Sequence, residues 1–223
     1  MIRYAYLRNK ALTSAAVVVS CMLSVANAQL GPNLVTNGGF ETPRGNNNWG
    51  SNPSTWYANQ TFDGWTVTQG SIDFVTAGVS PMGAGTSYEG VQHVDLNGSP
   101  GVGGIRQDIT IGAAGIYRLS FAMSGNTGAD SDSPRIMQVQ LSGGASVLLN
   151  QTFTWSRADH PTHDYYTAPS WVLHQVDISV PSAGVYTLSF TSLTTTNDIA
   201  GPAIDDVRLQ LVPEPASLMM LGT

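Results

Sequence analysis

The chain has 223 residues, of which 42% are hydrophobic and 11% are charged, and its formal net charge at pH 7 is −6. This hydrophobic content is enough for one substantial core in a domain of ordinary size. The acidic balance argues against nucleic acid as a partner, because a phosphate-binding surface needs clustered Lys and Arg side chains.

Residues 1–28 have the pattern of a bacterial secretory signal peptide. Its three parts are a basic start, an apolar stretch and a small-x-small cleavage site, namely Arg3, Arg8 and Lys10, then Ala11–Val25, then Ala26-Asn27-Ala28. We therefore expect cleavage after Ala28 and a secreted protein at the cell surface or outside the cell. The alternative is a lipoprotein that is lipidated at Cys21, the only cysteine, which lies within the apolar stretch.

After residue 30 the chain shows short alternating runs of apolar and polar residues, separated by Gly, Pro, Asn and Ser. This pattern predicts β-strands joined by turns. In chain order the predicted strands are Trp65–Gln69, Ser71–Thr76, Val91–Leu96, Gly104–Ile111, Tyr117–Met123, Ile136–Leu141, Ser146–Thr154, Val172–Val180, Val185–Ser192 and Gly201–Leu211. About ten strands favour an all-β fold over residues 29–212, with two antiparallel sheets packed as a jelly-roll β-sandwich.

The last predicted strand carries a carboxylate at an unusual position. Its apolar residues alternate with polar ones, and the same alternation places Asp205 on the face of Val207, toward the core. A buried carboxylate needs partners, either backbone N–H groups or a hard cation such as calcium. A second carboxylate, Glu41, lies near the start of the mature chain. We therefore expect the two ends of the domain to meet around one ion.

Five separated motifs occur in a characteristic order. They are NLVTNGGFETP at Asn33–Pro43, FDGW at Phe62–Trp65, SIDFV at Ser71–Val75, EGVQHVDLNG at Glu89–Gly98 and GPAIDDVRL at Gly201–Leu209. In this order the chain resembles the bacterial choice-of-anchor C family, which is similar to plant cell-wall proteins with galactose-binding-like jelly-roll domains. The resemblance implies a galactose-binding-like fold.

Residues 213–223 look like the start of a PEP-CTERM sorting signal, with VPEPASL at Val212–Leu218. In proteins that carry this signal, the motif precedes an apolar span and an Arg cluster, and a membrane exosortase processes it. The resemblance therefore implies an exosortase as a partner if the full signal exists.

The jelly-roll carbohydrate-binding modules that the chain resembles often hold a structural calcium between an N-terminal Glu and a near-C-terminal Asp. The resemblance thus implies a structural Ca²⁺ at Glu41 and Asp205, completed by backbone carbonyls near Asn37–Gly39 and by water. The alternative is that Glu41 caps a turn and Asp205 accepts backbone hydrogen bonds. Asp95 is either a ligand-binding residue or an acid that stabilises its own turn.

Two long polar loops, Arg44–Gln60 and Trp155–Ser170, are rich in aromatic residues. They contain Trp49, Trp56, Tyr57, Trp155, Tyr165 and Tyr166. Sugar rings stack on exposed aromatic side chains, and amide groups such as those of Asn46 and Asn47 bind sugar hydroxyls. Trp65 and Trp171 adjoin strands and are predicted core residues. The predicted ligand-binding residues are Trp49, Trp56, Tyr57, Tyr165 and Tyr166. The alternative is that these side chains cover the ends of the sandwich.

No catalytic residue is predicted, because the mature chain has neither a Gly-x-Ser-x-Gly motif nor a cysteine. We therefore predict an exported, non-catalytic domain that binds carbohydrate, with a polysaccharide or exopolysaccharide matrix as its partner. The alternative is a structural surface or matrix protein with no specific small ligand. Exposed aromatic side chains that line one groove would favour binding, and burial of all of them would favour the structural role.

Overall fold

The computed structural model describes residues 29–51, 54–99, 101–127, 133–195 and 199–214. The predicted signal peptide, residues 1–28, and residues 215–223 of the predicted sorting signal lie outside the described residues. Within the described ranges, no helix has the length and apolar character needed to cross a bilayer.

The described residues form fourteen β-strands and one short 3₁₀-helix, Arg157–Asp159. The strands are β1 (Thr55–Tyr57), β2 (Thr61–Phe62), β3 (Trp65–Gln69), β4 (Ser71–Thr76), β5 (Gln92–Asp95), β6 (Asn97–Gly98), β7 (Gly101–Val102), β8 (Gly104–Ile111), β9 (Gly115–Gly125), β10 (Arg135–Gly143), β11 (Ser146–Trp155), β12 (Val172–Val180), β13 (Gly184–Ser192) and β14 (Pro202–Leu211). All ten predicted strands are present. The four additional strands, β1, β2, β6 and β7, have only two or three residues each, too few to show an alternating pattern.

The strands form two six-stranded sheets and one small hairpin, β6-β7. The sheet that we call the front sheet has the order β1-β4-β5-β14-β9-β12, and the back sheet has the order β11-β10-β13-β8-β3-β2. Neighbouring strands in both sheets are antiparallel. The predicted all-β jelly-roll sandwich is therefore confirmed.

The main core lies between the two sheets and follows the two-residue period of the strands. In β8, for example, Ile105, Ile109 and Ile111 are buried, whereas Arg106 and Asp108 are exposed. Each apolar side chain that is fully removed from water stabilises the fold by about 1.5–3 kcal/mol. The core includes the indole of Trp65, as the sequence predicts.

The segment that begins at Gly31 runs along β14. The N–H of Gly31 donates to the carbonyl of Leu211 at 2.9 Å, and the N–H of Leu34 donates to that of Leu209, also at 2.9 Å. The Asn33 amide joins this pairing, because its Oδ1 accepts the N–H of Leu209 at 2.9 Å and its Nδ2 donates to the carbonyl of Val207 at 3.2 Å. The two ends of the domain therefore lie side by side and are joined by hydrogen bonds.

A β-bulge in β14 changes the face on which Asp205 lies. The register with β9 shifts between Asp205 and Arg208, and Asp206 has a positive φ of 49°. As a result Ile204 and Val207 both belong to the main core, whereas Asp205 is on the opposite face of the sheet with Ala203. The prediction that Asp205 shares a face with Val207 is wrong, because one extra residue reverses the alternation.

The outer face of the front sheet is also largely buried. Here Val75 of β4 and Ala203 of β14 pack with Met82 and Tyr165, and Trp171 packs against this group. The covering residues come from the loops after β4 and before β12. Polar side chains on this face, among them Asp73, His93, Asp95 and Asp205, are consequently buried as well.

Candidate ligand-binding site

A cavity of about 170 Å³ lies on the outer face of the front sheet, where the covering loops leave part of β4 and β5 open. The strands contribute carboxyl groups to its floor, and the loops contribute aromatic side chains to its walls. The lining residues are Trp49, Asp73, Val75, Asp95, Ser99, Asn126, Tyr165, Tyr166, Ile199 and Ala200.

The two acids of the floor, Asp73 and Asp95, stand directly opposite each other in the antiparallel pair of β4 and β5. Asp73 is only 5% exposed and accepts hydrogen bonds from the hydroxyls of Thr55 and Ser99. Burial raises the pKa of Asp73, and these hydroxyl bonds counteract part of that increase. Asp73 is therefore a hydrogen-bonded but poorly solvated acid at the bottom of the cavity.

Asp95 is 2% exposed and holds three donors. Its Oδ1 accepts the N–H of Asn97 at 2.9 Å and that of Gly201 at 3.1 Å, and its Oδ2 accepts the amide of Asn126 at 2.6 Å. The pKa of Asp95 is raised to about 7. Burial is the largest cause, the charge of Asp73 adds to it, and the hydrogen bonds offset part of the increase. Asp95 stabilises its own turn through Asn97, which is one of the two interpretations of this residue, and it also lines the cavity.

Three of the five aromatic residues predicted to bind ligand, Trp49, Tyr165 and Tyr166, come together at this cavity. Trp49 is 38% exposed and Tyr166 is 36% exposed, whereas Tyr165 is buried, with its hydroxyl 3.1 Å from Nε2 of His93. Burial lowers the pKa of His93 to about 3, so its imidazole is neutral at physiological pH. Trp49 and Tyr166 are thus the aromatic surfaces available to a ligand.

The other two aromatics, Trp56 and Tyr57, do not line the cavity. Trp56 lies in β1 opposite Ile72, and its ring packs against Phe62 and Phe74 with centroid distances of 5.5 and 6.0 Å. It is partly buried against the main core because the predicted loop contains a short strand. Tyr57 is exposed, and its hydroxyl donates to the carbonyl of Gly50 at 3.1 Å.

The amides expected to bind sugar hydroxyls instead hold the loop that carries Trp49. The Nδ2 of Asn47 donates to the carbonyls of Thr76 and Val79, and its Oδ1 accepts the N–H of Thr76. The Oδ1 of Asn46 accepts the hydroxyl of Ser54. These bonds fix the position of Trp49 beside the cavity.

Asp205 anchors the loop between β4 and β5. Its Oδ2 accepts the N–H groups of Tyr88 and Glu89 at 3.0 and 2.9 Å, and its Oδ1 accepts the N–H of Asp206 at 2.7 Å. Asp205 has no exposed surface, and burial raises its pKa to about 8 although the three N–H bonds lower it. This carboxyl group is therefore satisfied by backbone donors, one of the two alternatives that the sequence left open.

Glu41 holds the same loop two residues further on. Its Oε1 accepts the N–H of Val91 at 2.9 Å and that of Gln92 at 3.1 Å. Gly90 has a φ of +58°, and a Cβ atom there would lie 2.2 Å from Oε1 of Glu41, so only glycine fits beneath this carboxylate. In the part of the chain that the structure describes, no group of three or more Asp, Glu, His or Cys side chains is placed to hold a metal ion.

A family model described as "Protein of unknown function (DUF642)" matches residues 33–210, which include the cavity and both anchoring carboxylates. The chain belongs to this family.

Halomucin of Haloquadratum walsbyi is 30% identical to this DUF642 domain over 188 residues. That match covers 82% of the chain and 2% of halomucin, so the chain spans a small fraction of the relative's length. Among solved structures, TmCBM61 in complex with β-1,4-galactotriose is similar with a TM-score of 0.49 and 15% identity, covering 82% of this chain and 100% of that one. The CBM22-1 xylan-binding domain from Paenibacillus barcinonensis Xyn10C has a TM-score of 0.43 and 16% identity, covering 71% and 92%.

The buried acids predict that the DUF642 domain loses stability as the pH rises from 6.5 to 8. Asp95 and Asp205 have folded-state pKa values of about 7 and about 8, above the usual 3.8, so their contribution is full below pH 4 and is lost as the pH rises through 7 to 8. His93 and His163, with pKa values lowered mainly by burial to about 3 and about 4, oppose this trend only below pH 6.5. The free energy of unfolding, measured with urea in a chelating buffer, should therefore fall between pH 6.5 and 8.

The variant Asp205→Asn identifies the contribution of one acid. It keeps an acceptor oxygen for Tyr88 and Glu89 but cannot ionise, so the stability difference from the unmodified domain should shrink between pH 4 and 8, by up to roughly 1.4 kcal/mol per pH unit. Asp108→Asn, at a largely exposed acid on β8, should run parallel to the unmodified domain. A difference for Asp205→Asn that stays constant over this range would contradict a raised pKa.

Proposed function

We propose that this DUF642 domain binds a saccharide unit in the cavity between Trp49 and Tyr166, without catalysis. The observation that carries the proposal is that two exposed aromatic side chains flank a floor of two buried acids, Asp73 and Asp95. Aromatic faces suit the apolar C–H faces of sugar rings, and polar groups at fixed positions suit their hydroxyls. The structural alternative would have all of the predicted binding aromatics buried, and Trp49 and Tyr166 are not.

The floor of the cavity has unused hydrogen-bonding capacity. An ionised carboxylate has about four lone-pair sites. Asp73 accepts one side-chain hydroxyl at each oxygen, from Thr55 and from Ser99, and it also accepts the backbone N–H of Ser99. The remaining lone pairs are directed by a rigid strand rather than by a mobile loop. They are suited to accept hydrogen bonds from sugar hydroxyls.

The size of the cavity limits the ligand to a small unit. Sites for drug-sized ligands are usually about 300–1,000 Å³. The cavity here, at about 170 Å³, is below that range and opens at the surface beside Ile199. We therefore propose that it takes one sugar ring, at a chain end or a side branch, of a polysaccharide or exopolysaccharide matrix.

Binding is proposed rather than hydrolysis because of the partners of the two acids. A glycosidase needs one carboxylic acid that gives its proton to the leaving oxygen and a second carboxylate that attacks or activates water. In this domain Asp95 holds the backbone N–H groups of Asn97 and Gly201, and Asp73 holds two side-chain hydroxyls. Both acids serve the local structure around the cavity.

Export to the cell surface or the extracellular matrix is part of the proposal and rests on the sequence of residues 1–28. Processing by an exosortase is proposed for a chain in which the sorting signal that begins at residue 213 is complete. We expect the exported chain to begin at Gln29. Intact-mass spectrometry of the exported protein checks this, and a lipid-modified Cys21 at the N-terminus would show that the lipoprotein alternative is right.

We also propose that Glu41 and Asp205 share a structural calcium ion. Support comes from the acidity of this region, because Glu89 and Asp206 lie beside them and the pKa of Glu89 is raised by burial and then by Asp206. Among the described residues, Arg208 forms ion pairs with Glu89 and Asp206 but not with Asp205, so this cation does not neutralise the Asp205 carboxylate directly. Carboxylate oxygens are preferred calcium ligands. The N–H groups that already face Glu41 and Asp205 are the argument for the metal-free alternative.

Calcium should therefore raise the melting temperature of the domain. A ligand that binds only the native state stabilises it by about 2.7 kcal/mol at one hundred times its Kd. We expect a higher melting temperature with calcium than with a chelator at pH 8, and no such difference in Asp205→Asn. Magnesium at the same concentration is the control for ionic strength. Identical melting curves with calcium and with chelator would exclude the ion.

Removal of an exposed aromatic side chain should weaken saccharide binding and leave the fold intact. For a single shallow site we expect a Kd of about 0.1–1 mM, or about 4–5.5 kcal/mol. Trp49→Ala and Tyr166→Ala should each reduce the affinity about fivefold or more, with a nearly unchanged melting temperature. A polysaccharide panel followed by titration calorimetry on the best ligand measures this.

Two further variants act as controls. Tyr88→Ala removes a similarly exposed ring that is not part of the cavity and should bind as the unmodified domain does. Trp56→Ala should lower the melting temperature, because its ring packs against the core. If no polysaccharide binds the unmodified domain at millimolar site concentrations, the structural role replaces the proposed function.

A further inference from the structure

We propose that the cavity selects an amino sugar, a hexose unit whose free primary amine is protonated. The inference rests on the saccharide binding proposed above and names the chemical class of that ligand. Its basis is the charge of the cavity. The lining has two carboxyl groups, Asp73 and Asp95, and the described residues that line it include no Lys, Arg or His.

The two acids share a space that is shielded from water. They are cross-strand partners in β4 and β5, and each is at most 5% exposed. Two like charges in such a space oppose each other, and burial opposes the ionisation of both. A cation placed between them offsets both costs, so the geometry of the floor favours a positively charged ligand over a neutral one.

An ammonium group also matches the hydrogen-bonding pattern. It offers three N–H donors and no acceptor. Asp73 has acceptor capacity left after its bonds with the hydroxyls of Thr55 and Ser99 and with the N–H of Ser99, because an ionised carboxylate has about four lone-pair sites. The walls add a second attraction, because Trp49 and Tyr166 expose aromatic surface beside the floor, and a cation is attracted to the face of an aromatic ring.

The charged groups behind the lining do not cancel this preference. His93 is next to Tyr165, but its pKa is lowered by burial to about 3 and it is neutral. Arg135 lies behind Asn126, and its guanidinium donates to the carbonyls of Asn126 and Thr127 rather than lining the cavity. Tyr165 and Tyr166 are uncharged, because their pKa values are raised by burial and then by Asp95.

The same arrangement disfavours two related ligands. A uronic acid would bring a third negative charge to the two acids. An N-acetylated amino sugar has lost its charge and two of the three N–H donors, and its acetyl group adds bulk in a cavity of about 170 Å³. Discrimination between the free amine and these derivatives is therefore the distinguishing property of the proposed site.

The test compares four trisaccharides on the full chain by titration calorimetry at pH 7. They are β-1,4-linked glucosamine, N-acetylglucosamine, glucose and galacturonic acid. We expect the glucosamine trimer to bind at least tenfold more tightly than the glucose trimer, the N-acetylated trimer to resemble the glucose trimer, and the galacturonic acid trimer to show no binding. Affinity for the glucosamine trimer should rise between pH 5 and 7 as Asp95, whose pKa is raised by burial to about 7, loses its proton.

Asp73→Asn tests the origin of the preference. An Asn side chain can still bond to the hydroxyls of Thr55 and Ser99, but it carries no charge, so the preference for glucosamine should fall below threefold. Asp95→Asn is the second variant should the first fail to fold. Asp108→Asn, on the back sheet, is the matched control: it removes the same single charge outside the cavity lining, so the full preference should remain.

The outcomes separate this inference from the proposed function. Equal affinities for the glucosamine and glucose trimers, with binding that Trp49→Ala weakens, would overturn the amino-sugar preference and leave saccharide binding intact. A glucosamine preference that survives in both Asp73→Asn and Asp95→Asn would show a general attraction of cations and would also overturn it. Absence of binding by all four trimers at millimolar site concentrations would overturn both proposals.

Discussion

A buried carboxyl group must receive hydrogen bonds from the structure around it, and the outer face of the front sheet is built on this constraint. Asp205, Glu41 and Asp95 together accept eight N–H donors, and seven of these are backbone groups. The acids thereby fix the loop that covers β5 and the turns at Asn97 and Gly201. The turns at Asn97 and Gly201 adjoin the lining residues Ser99 and Ala200, so the shape of the candidate site depends in part on the hydrogen bonds that Asp95 accepts.

The ten longer strands were predictable from sequence because each shows several cycles of the two-residue period. Strands of two or three residues, such as β1, show no period, and β1 lies within what reads as a long polar loop. The face of Asp205 was not predictable either, since a bulge adds one residue to β14 and reverses the alternation. The positive φ of Asp206 has no distinctive mark in the sequence.

The candidate site was predictable in part. Aromatic residues in polar loops are visible in the sequence, and three of them, Trp49, Tyr165 and Tyr166, meet at one cavity. Asp73 was missed because its importance depends on the register that places it opposite Asp95. A signal was present, an acid at an alternating position in each of two successive apolar strands, but register between strands cannot be read from composition or spacing.

The pairing of Gly31 and Leu34 with β14 places the two ends of the domain together. Gly31 and Leu211 are joined by a hydrogen bond, so both ends of the domain leave the sandwich at one pole. Ala200, at the cavity, lies two residues before β14, whose 10 residues span roughly 30 Å at the rise of an extended strand. A tether attached at either end, or at both, would hold the cavity about one strand length away from the point of attachment, within reach of a polymer in the space beyond.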